Sequence, residues 1–224
     1  MAIAVFGGSF DPPHIGHLTA VGEILATNQY AEVWVVPCGV RSDKTSYAPP
    51  EGRLAMVQLA VAATFPAEER VHVSSLEVDH GQTIRTYDLL QHIQRARPRN
   101  QLVFCVGEDL LKALPNWYRG EELVRECQFL VLDREVSRDR PKEALPTGLR
   151  FNRLCECLEL SGDGPLSHVG CSSTLIRKRL QNGNTAGVQH LLPPAVLELA
   201  LARGWYSLKV EHCAEQDVLR HWEL

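Results

Sequence analysis

The segment Gly7-Gly8-Ser9-Phe10-Asp11-Pro12-Pro13-His14-Ile15-Gly16-His17 concentrates the residue types that handle phosphate. It lies between an apolar run, Ala2 to Phe6, that reads as a buried strand and an apolar-periodic run, Ile15 to Leu25, that reads as a helix. Gly7 and Gly8 therefore fall at a strand-to-helix turn. Glycine there lets backbone N–H groups approach an anion, and a helix N-terminus favours negative charge. His14 and His17, spaced i and i+3, can reach one ligand from one helix face. Imidazole hydrogen bonds that tighten as charge develops on a phosphoryl group speed its transfer. The segment lacks the Gly-Lys-Ser/Thr of a Walker A loop and is not the dinucleotide fingerprint. By itself the histidine pair also allows two satisfied helix residues or two metal ligands, but no third ligand stands out.

A second cluster, Ser172-Ser173-Thr174-Leu175-Ile176-Arg177, offers hydroxyls and free N–H groups at a helix start, with an arginine one turn on that can fork onto a phosphate. An ordinary serine-capped helix would look the same.

These residues need a scaffold, and the pattern of the chain predicts one. Apolar strand-like runs occur at Ala2–Phe6, Glu32–Pro37, Val71–Ser74, Gln101–Val106, Gln128–Asp133 and Cys157–Leu160. Helical periodicity falls between them, at Ile15–Thr27, Glu51–Thr64, Thr83–Arg95, and Glu108–Leu114 with Glu121–Arg125. Two further helices are expected, from Ser172 to Gln181, ended by Asn182-Gly183, and from Pro193-Pro194 to Gly204. The alternation predicts an α/β fold: a Rossmann-like doubly wound, mostly parallel sheet with helices on both faces. Such folds bind ligands beyond the carboxyl ends of the strands, where the glycine turn lies. Residues 38–50 and 133–150 read as long loops. Residues 1–205 read as one domain, with 206–224 as a tail belonging to it.

The 224 residues carry a net charge of −4, with a pI near 6.1, which argues against non-specific nucleic-acid binding. No run of 18 apolar residues occurs, so no membrane span is expected, and no secretory signal is visible. The seven scattered cysteines suit free thiols in the reducing cytoplasm better than a disulfide framework. Cys155 and Cys157 would share a strand face, but no second pair completes a zinc site.

Gly-Gly-Ser-Phe-Asp-Pro-Pro-His-Ile-Gly-His resembles the His-x-Gly-His signature of the nucleotidyltransferase superfamily of adenylyl- and cytidylyltransferases. Ser172 to Arg177 is similar to the Ser-Ser-Thr-x-x-Arg motif that closes the triphosphate site in the same superfamily. Gly107-Glu108-Asp109, with Trp117 beyond, resembles the Gly-x-Asp…Trp segment of nicotinate/nicotinamide mononucleotide adenylyltransferases. The resemblance implies that Gly107 and Asp109 sit by the ATP nucleoside and that Trp117 stacks on the pyridine ring. Thr83 to Leu90 is similar to that family's Ser-Tyr-Thr-x-x-Thr-Leu helix start, with Thr83 or Thr86 at the key hydroxyl and Arg85 where another residue type is usual. Lys44 matches a family lysine that approaches the phosphates, and Arg41 is a second candidate for that place. Arg53 and Arg134 match family arginines near the mononucleotide and the ATP base.

The resemblance thus implies an adenylyltransferase that joins ATP to nicotinate or nicotinamide mononucleotide, releasing pyrophosphate, with no covalent enzyme intermediate. His17, His14, Lys44 and Arg177 would carry catalysis. Gly7, Gly8, Ser9, Phe10, Gly107, Asp109, Arg134, Ser172, Ser173 and Thr174 would bind ATP. Lys44, Arg53, Thr83, Arg85, Thr86 and Trp117 would bind the mononucleotide. Mg²⁺ would enter through the triphosphate rather than through protein ligands. Three other readings stay open: a related transferase with a phosphopantetheine or cytidylyl acceptor, a dinucleotide-sensing module without turnover, and a metal-dependent hydrolase. The expected partners are the small molecules ATP and the mononucleotide, with neither nucleic acid nor membrane, while residues 133–150 and the tail leave a homo-oligomer open.

Overall fold

The computed structural model of the chain describes residues 1–41, 46–132, 146–154 and 171–207. The strands are β1 (Ala2–Gly8), β2 (Tyr30–Pro37), β3 (Val71–Val73), β4 (Gln101–Gly107), β5 (Gln128–Leu132) and β6 (Arg150–Arg153). They form one sheet in the order β3-β2-β1-β4-β5-β6, and every pairing is parallel. The order reverses between β1 and β4. A crevice therefore opens at their carboxyl ends, where Gly7 and Gly8 face Gly107 across the switch point.

Strand side chains alternate between two apolar layers. Ile3, Val5, Phe104, Val106, Phe129 and Val131 join a layer covered by α4 (Thr86–Ala96), by a 3₁₀ helix at Glu108–Asn116 and by α5 (Gly120–Glu126). Ala4, Phe6, Val33, Val35, Val103 and Leu130 face the other side, covered by α1 (Ile15–Ala26) and α2 (Pro50–Thr64). A third cluster packs α2 against α6 (Ser173–Gln181) and α7 (Pro194–Arg203). Both faces thus carry helices, as the strand–helix alternation predicts.

The two C-terminal helices follow the sequence signals. Ser172 caps α6 by accepting the Leu175 N–H at 3.2 Å. Gly183 beyond it (φ 71°) and Gly204 beyond α7 (φ 62°) adopt the left-handed conformation that ends helices.

Two expectations differ from the structure. The segment after Glu108 is 3₁₀ rather than α-helical. Leu111 and Leu114 are both fully buried, and spacing of three aligns them on one face of a 3₁₀ helix; Pro115 then removes the next donor. The helix expected from Thr83 begins at Thr86, because the Thr83 hydroxyl donates to the Val40 carbonyl at 2.9 Å and Arg85 is extended. The last strand among the described residues is Arg150–Arg153, hydrogen-bonded beside β5, while the run Cys157–Leu160 lies outside the described residues. A short helix, α3 (Leu76–Asp79), was not expected.

Candidate active site

The turn after β1 is shaped by its aromatic residue. Phe10 has a positive φ of 47°, and its ring folds back under the turn. It meets Phe6 edge-on at 5.5 Å between centroids and His17 at 4.9 Å. A Cβ on Gly8 would lie 3.1 Å from the Phe10 ring, tighter than ordinary contact, so a glycine there accommodates the fold-back. The Asp11–Pro12 peptide is cis.

His14 is the N-cap of α1 and His17 its third helical residue. The His14 backbone N–H donates to His17 Nδ1 at 3.1 Å. A neutral imidazole that accepts at Nδ1 carries its proton at Nε2, so the cap fixes His17 as an Nε2–H donor. The two rings lie 3.7 Å apart at 31°. His14 is buried, whereas His17 is half-buried. The i, i+3 spacing therefore brings the pair together as expected, through a capping interaction rather than through two successive turns of one face.

The two sequence-distant motifs touch. Ser173 Oγ donates to the Pro12 carbonyl at 2.9 Å. Arg177 Nη1 donates to the Asp11 carbonyl at 2.7 Å, and Nη2 to Thr174 Oγ1 at 3.1 Å. These use two of the five N–H donors of a guanidinium. Arg177 also lies over the Tyr47 ring at 4.8 Å. Arg41 Nη1 reaches Ser9 Oγ at 2.9 Å, so the loop after β2 adds a cation to the glycine turn.

Asp11, which the sequence did not single out, organises the turn. Its Oδ2 accepts the Tyr47 N–H at 2.8 Å, and its Oδ1 accepts the Ala48 N–H at 3.2 Å and the Tyr206 hydroxyl at 2.7 Å. Burial, the Asp11 charge and the hydrogen bond to it push the Tyr206 phenol well above its usual pKa, which keeps it a donor. Tyr206 is therefore a core residue, although the sequence places it at the start of a polar tail.

Arg53 is 1 % exposed, and its guanidinium bonds inward. Nη1 donates to the Ser9 carbonyl at 3.0 Å, Nη2 to the Gly39 carbonyl at 2.7 Å, and Nε to the Ala48 carbonyl at 3.2 Å. Beside it lies Glu77, buried, accepting the Gly39 N–H at 3.3 Å. Desolvation raises the Glu77 carboxyl to about 7, against the opposing pull of that N–H and of Arg41 and Arg53. Gly39 passes so close to the Glu77 backbone carbonyl that a Cβ there could not be placed.

The other end of the crevice is more open. Thr86 is the first residue of α4 and half-buried; Arg85, its N-cap, is exposed. Trp117 ends the 3₁₀ helix, half-buried against the β4–β5 layer, and Tyr118 beside it is exposed. Gly107 closes β4, and Glu108 pairs with Arg153 at 2.9 Å. Asp109 is exposed in the first 3₁₀ turn. Lys44 and Arg134 lie outside the described residues. Among the described residues, no group of three or more His, Cys, Asp or Glu could hold a metal ion. No helix among them is long and apolar enough to cross a membrane.

Comparison with known proteins agrees with this arrangement. The cytidylyltransferase-like family model matches residues 5–179. A protein of Pseudomonas fluorescens named "Probable nicotinate-nucleotide adenylyltransferase" is 33 % identical over 214 residues, covering 91 % of this chain and 96 % of the relative. A protein of the same name from Geobacillus thermodenitrificans is 31 % identical over 209 residues, covering 92 % and 87 %. The solved nicotinic acid mononucleotide adenylyltransferase of Plasmodium falciparum, complexed with NaAD, superposes with a TM-score of 0.74 over 92 % of this chain and 97 % of that one. Its identity of 24 % makes that a likeness of fold. The phosphate-type turn, the second motif bonded to it and the parallel sheet behind them thus have one explanation: the chain belongs to the cytidylyltransferase-like nucleotidyltransferases and, within them, to the nicotinate-nucleotide adenylyltransferase family.

Proposed function

We propose that this enzyme transfers the adenylyl group of ATP, as its Mg²⁺ complex, to the phosphate of nicotinate mononucleotide. An acceptor phosphate oxygen attacks the α-phosphorus in line. The new P–O bond forms as the bond to the β-phosphate oxygen breaks, and its electron pair leaves with pyrophosphate. The acceptor phosphate is already ionised at neutral pH, so no general base is required. Positioning and charge stabilisation do the work.

The observation that carries this reading is the junction of Ser173 and Arg177 with the Asp11–Pro12 backbone, beside a His17 held as an Nε2–H donor. His17 Nε2–H donates to an oxygen of the transferring phosphoryl group, and its bond strengthens as charge builds. His14 holds it in register. Arg177 forks onto the leaving phosphates, and the hydroxyls of Ser172, Ser173 and Thr174 with the N–H groups of Gly7, Gly8, Ser9 and Phe10 complete the cradle. These groups are donors and cations rather than metal ligands, which suits a Mg²⁺ held through phosphate oxygens and water. Lys44 approaches the phosphates between the two substrates. Gly107, Asp109 and Arg134 serve the adenosine.

At the acceptor end, Trp117 stacks on the pyridine ring, and Thr86 with Arg85 at the start of α4 receives its substituent. A helix N-terminus and an exposed arginine favour a carboxylate over a carboxamide, which supports nicotinate. Asp88, in the same turn, is exposed, where solvent and salt screen it. Thr83, bonded to the Val40 carbonyl, and Arg53, bonded to the Ser9, Gly39 and Ala48 carbonyls, act by holding those backbone positions in place. We place the reaction in the cytoplasm, which suits the free thiols of Cys38, Cys105, Cys127 and Cys171. The partners are small molecules rather than nucleic acid or membrane.

Pyrophosphate release from MgATP tests the reading when measured with nicotinate mononucleotide, with nicotinamide mononucleotide and with no acceptor. Rapid release with the nicotinate form, slower release with the nicotinamide form and none without acceptor are expected. No release with either acceptor would refute the assignment, and acceptor-independent release would indicate a hydrolase.

A further inference from the structure

We propose that Tyr206 is a positioning residue for Arg177, acting through Asp11; the inference rests on Arg177 binding phosphate as described above. Tyr206 stands three residues past the end of α7, is 2 % exposed, and has its hydroxyl 2.7 Å from Asp11 Oδ1. The hydroxyl also lies 3.8 Å from Met56 Sδ, and the Arg177 and Arg53 charges are near enough to act on it. Asp11 is itself 5 % exposed. A carboxylate buried to that degree is held by its donors, here the Tyr47 and Ala48 N–H groups and the phenol.

Among the described residues, two contacts aim the Arg177 guanidinium from outside its own helix, and both converge on Asp11. The first is the Asp11 carbonyl, at 2.7 Å. The second is the Tyr47 ring, 4.8 Å away, whose backbone N–H is bound by the Asp11 carboxylate. The Tyr206 and Tyr47 rings lie 6.3 Å apart, so the phenol reaches the carboxylate beside the ring that carries the arginine. Neither the motif residues nor their spacing contains this link, because Tyr206 and Asp11 are separated by 195 positions. Without the hydroxyl, the carboxylate keeps, among the described residues, only its two backbone donors. It can then swing, and with it both the carbonyl and the ring that aim Arg177.

A phenol that merely stabilised the third apolar cluster would make a different prediction. Its loss would lower activity by the same factor whether or not Arg177 were present. The test is therefore a double-mutant cycle in kcat/KM for ATP, with Tyr206→Phe, Arg177→Ala and the double variant, and a thermal unfolding curve for each. Pyrophosphate release by the wild type with MgATP and nicotinate mononucleotide is measured first. Failure at that step falls on the function rather than on this inference.

Tyr206→Phe is expected to lower kcat/KM about tenfold in the wild-type background and by less than about twofold once Arg177 is alanine. Equal factors in the two backgrounds, or no loss in the wild-type background, would overturn the proposal. Asp11→Asn, which weakens the same carboxylate from the other side, is the second variant and should show the same dependence on Arg177. If Tyr206→Phe does not unfold cooperatively, the Asp11→Asn cycle decides. If neither variant does, the link belongs to the fold alone and the proposal is overturned.

Discussion

At the phosphate end of the crevice, Asp11, His14 and Arg53 are 5 %, 7 % and 1 % exposed, and the Asp11 and Arg53 side chains are bonded to the backbone of Ser9, Gly39, Tyr47 and Ala48. At the acceptor end, Thr86 and Trp117 are half-buried, Arg85 and Tyr118 are exposed, and the connecting element is a 3₁₀ helix. The difference follows the chemistry. A transition state whose charge develops over a fraction of an ångström needs donors fixed before it arrives, since reorganising them would cost the stabilisation they supply. An acceptor ring needs a face and a counter-charge, and in the proposed site a partly exposed tryptophan with a helix N-terminus would provide both without a rigid frame. On the proposed function, the reaction is set by the fixed end and the choice of substrate by the open one.

Removing the reacting donor should produce the largest effect. His17→Ala and His17→Asn both delete Nε2, while the asparagine can keep an acceptor for the His14 N–H. Turnover should fall about a thousandfold in both, with the calorimetric Kd for ATP little changed. Near-normal turnover in either variant would break the assignment of the fixed end. Arg53→Met tests whether that end is held from within. Three backbone carbonyls lose their donor, so urea unfolding should show a loss of about 4 kcal/mol. A raised KM for the mononucleotide at unchanged stability would instead make Arg53 a substrate contact.

Glu77 sharpens the same point through pH. Its carboxyl titrates at about 7 when folded, against 4.5 for the unperturbed group. The folded state therefore holds a proton that the unfolded state has lost between these values. Stability falls as pH rises through that window, by at most roughly 3 kcal/mol. Glu77→Gln removes the titration and can keep an acceptor for the Gly39 N–H. The difference in melting temperature, variant minus wild type, should grow between pH 5 and 8; a constant difference would contradict the buried, desolvated carboxyl. The smallest effect is expected at the open end. Trp117→Ala should raise KM for the mononucleotide about tenfold while leaving KM for ATP nearly unchanged. Equal increases would argue against stacking.

The two ends also differed in how far the sequence disclosed them. Fully buried parallel strands are continuous apolar runs, so β1, β2, β4 and β5 were visible to within a residue or two. His14, His17, Ser173 and Arg177 were visible because their chemistry is local: short strings at helix starts. What held them was not visible. Asp11 and Tyr206 meet across the chain, and no periodicity marks a contact of that separation. Arg53 looked like a binding cation because a lone arginine in a sequence does not reveal that its donors are spent on carbonyls. Glu77 lay in a polar stretch that gave no hint of burial. At the open end, the two threonines fitted one pattern in either of two registers. Only the hydrogen bond from Thr83 to Val40 and the helix start at Thr86 separate them.

The central claim is transfer of the adenylyl group at the fixed end, and the fate of label tests it most directly. MgATP labelled at the α-phosphate or at the γ-phosphate is incubated with nicotinate mononucleotide and the products are separated. The account predicts α-label in the adenine dinucleotide and γ-label in pyrophosphate. γ-label on the acceptor, or α-label only in free AMP, would contradict it.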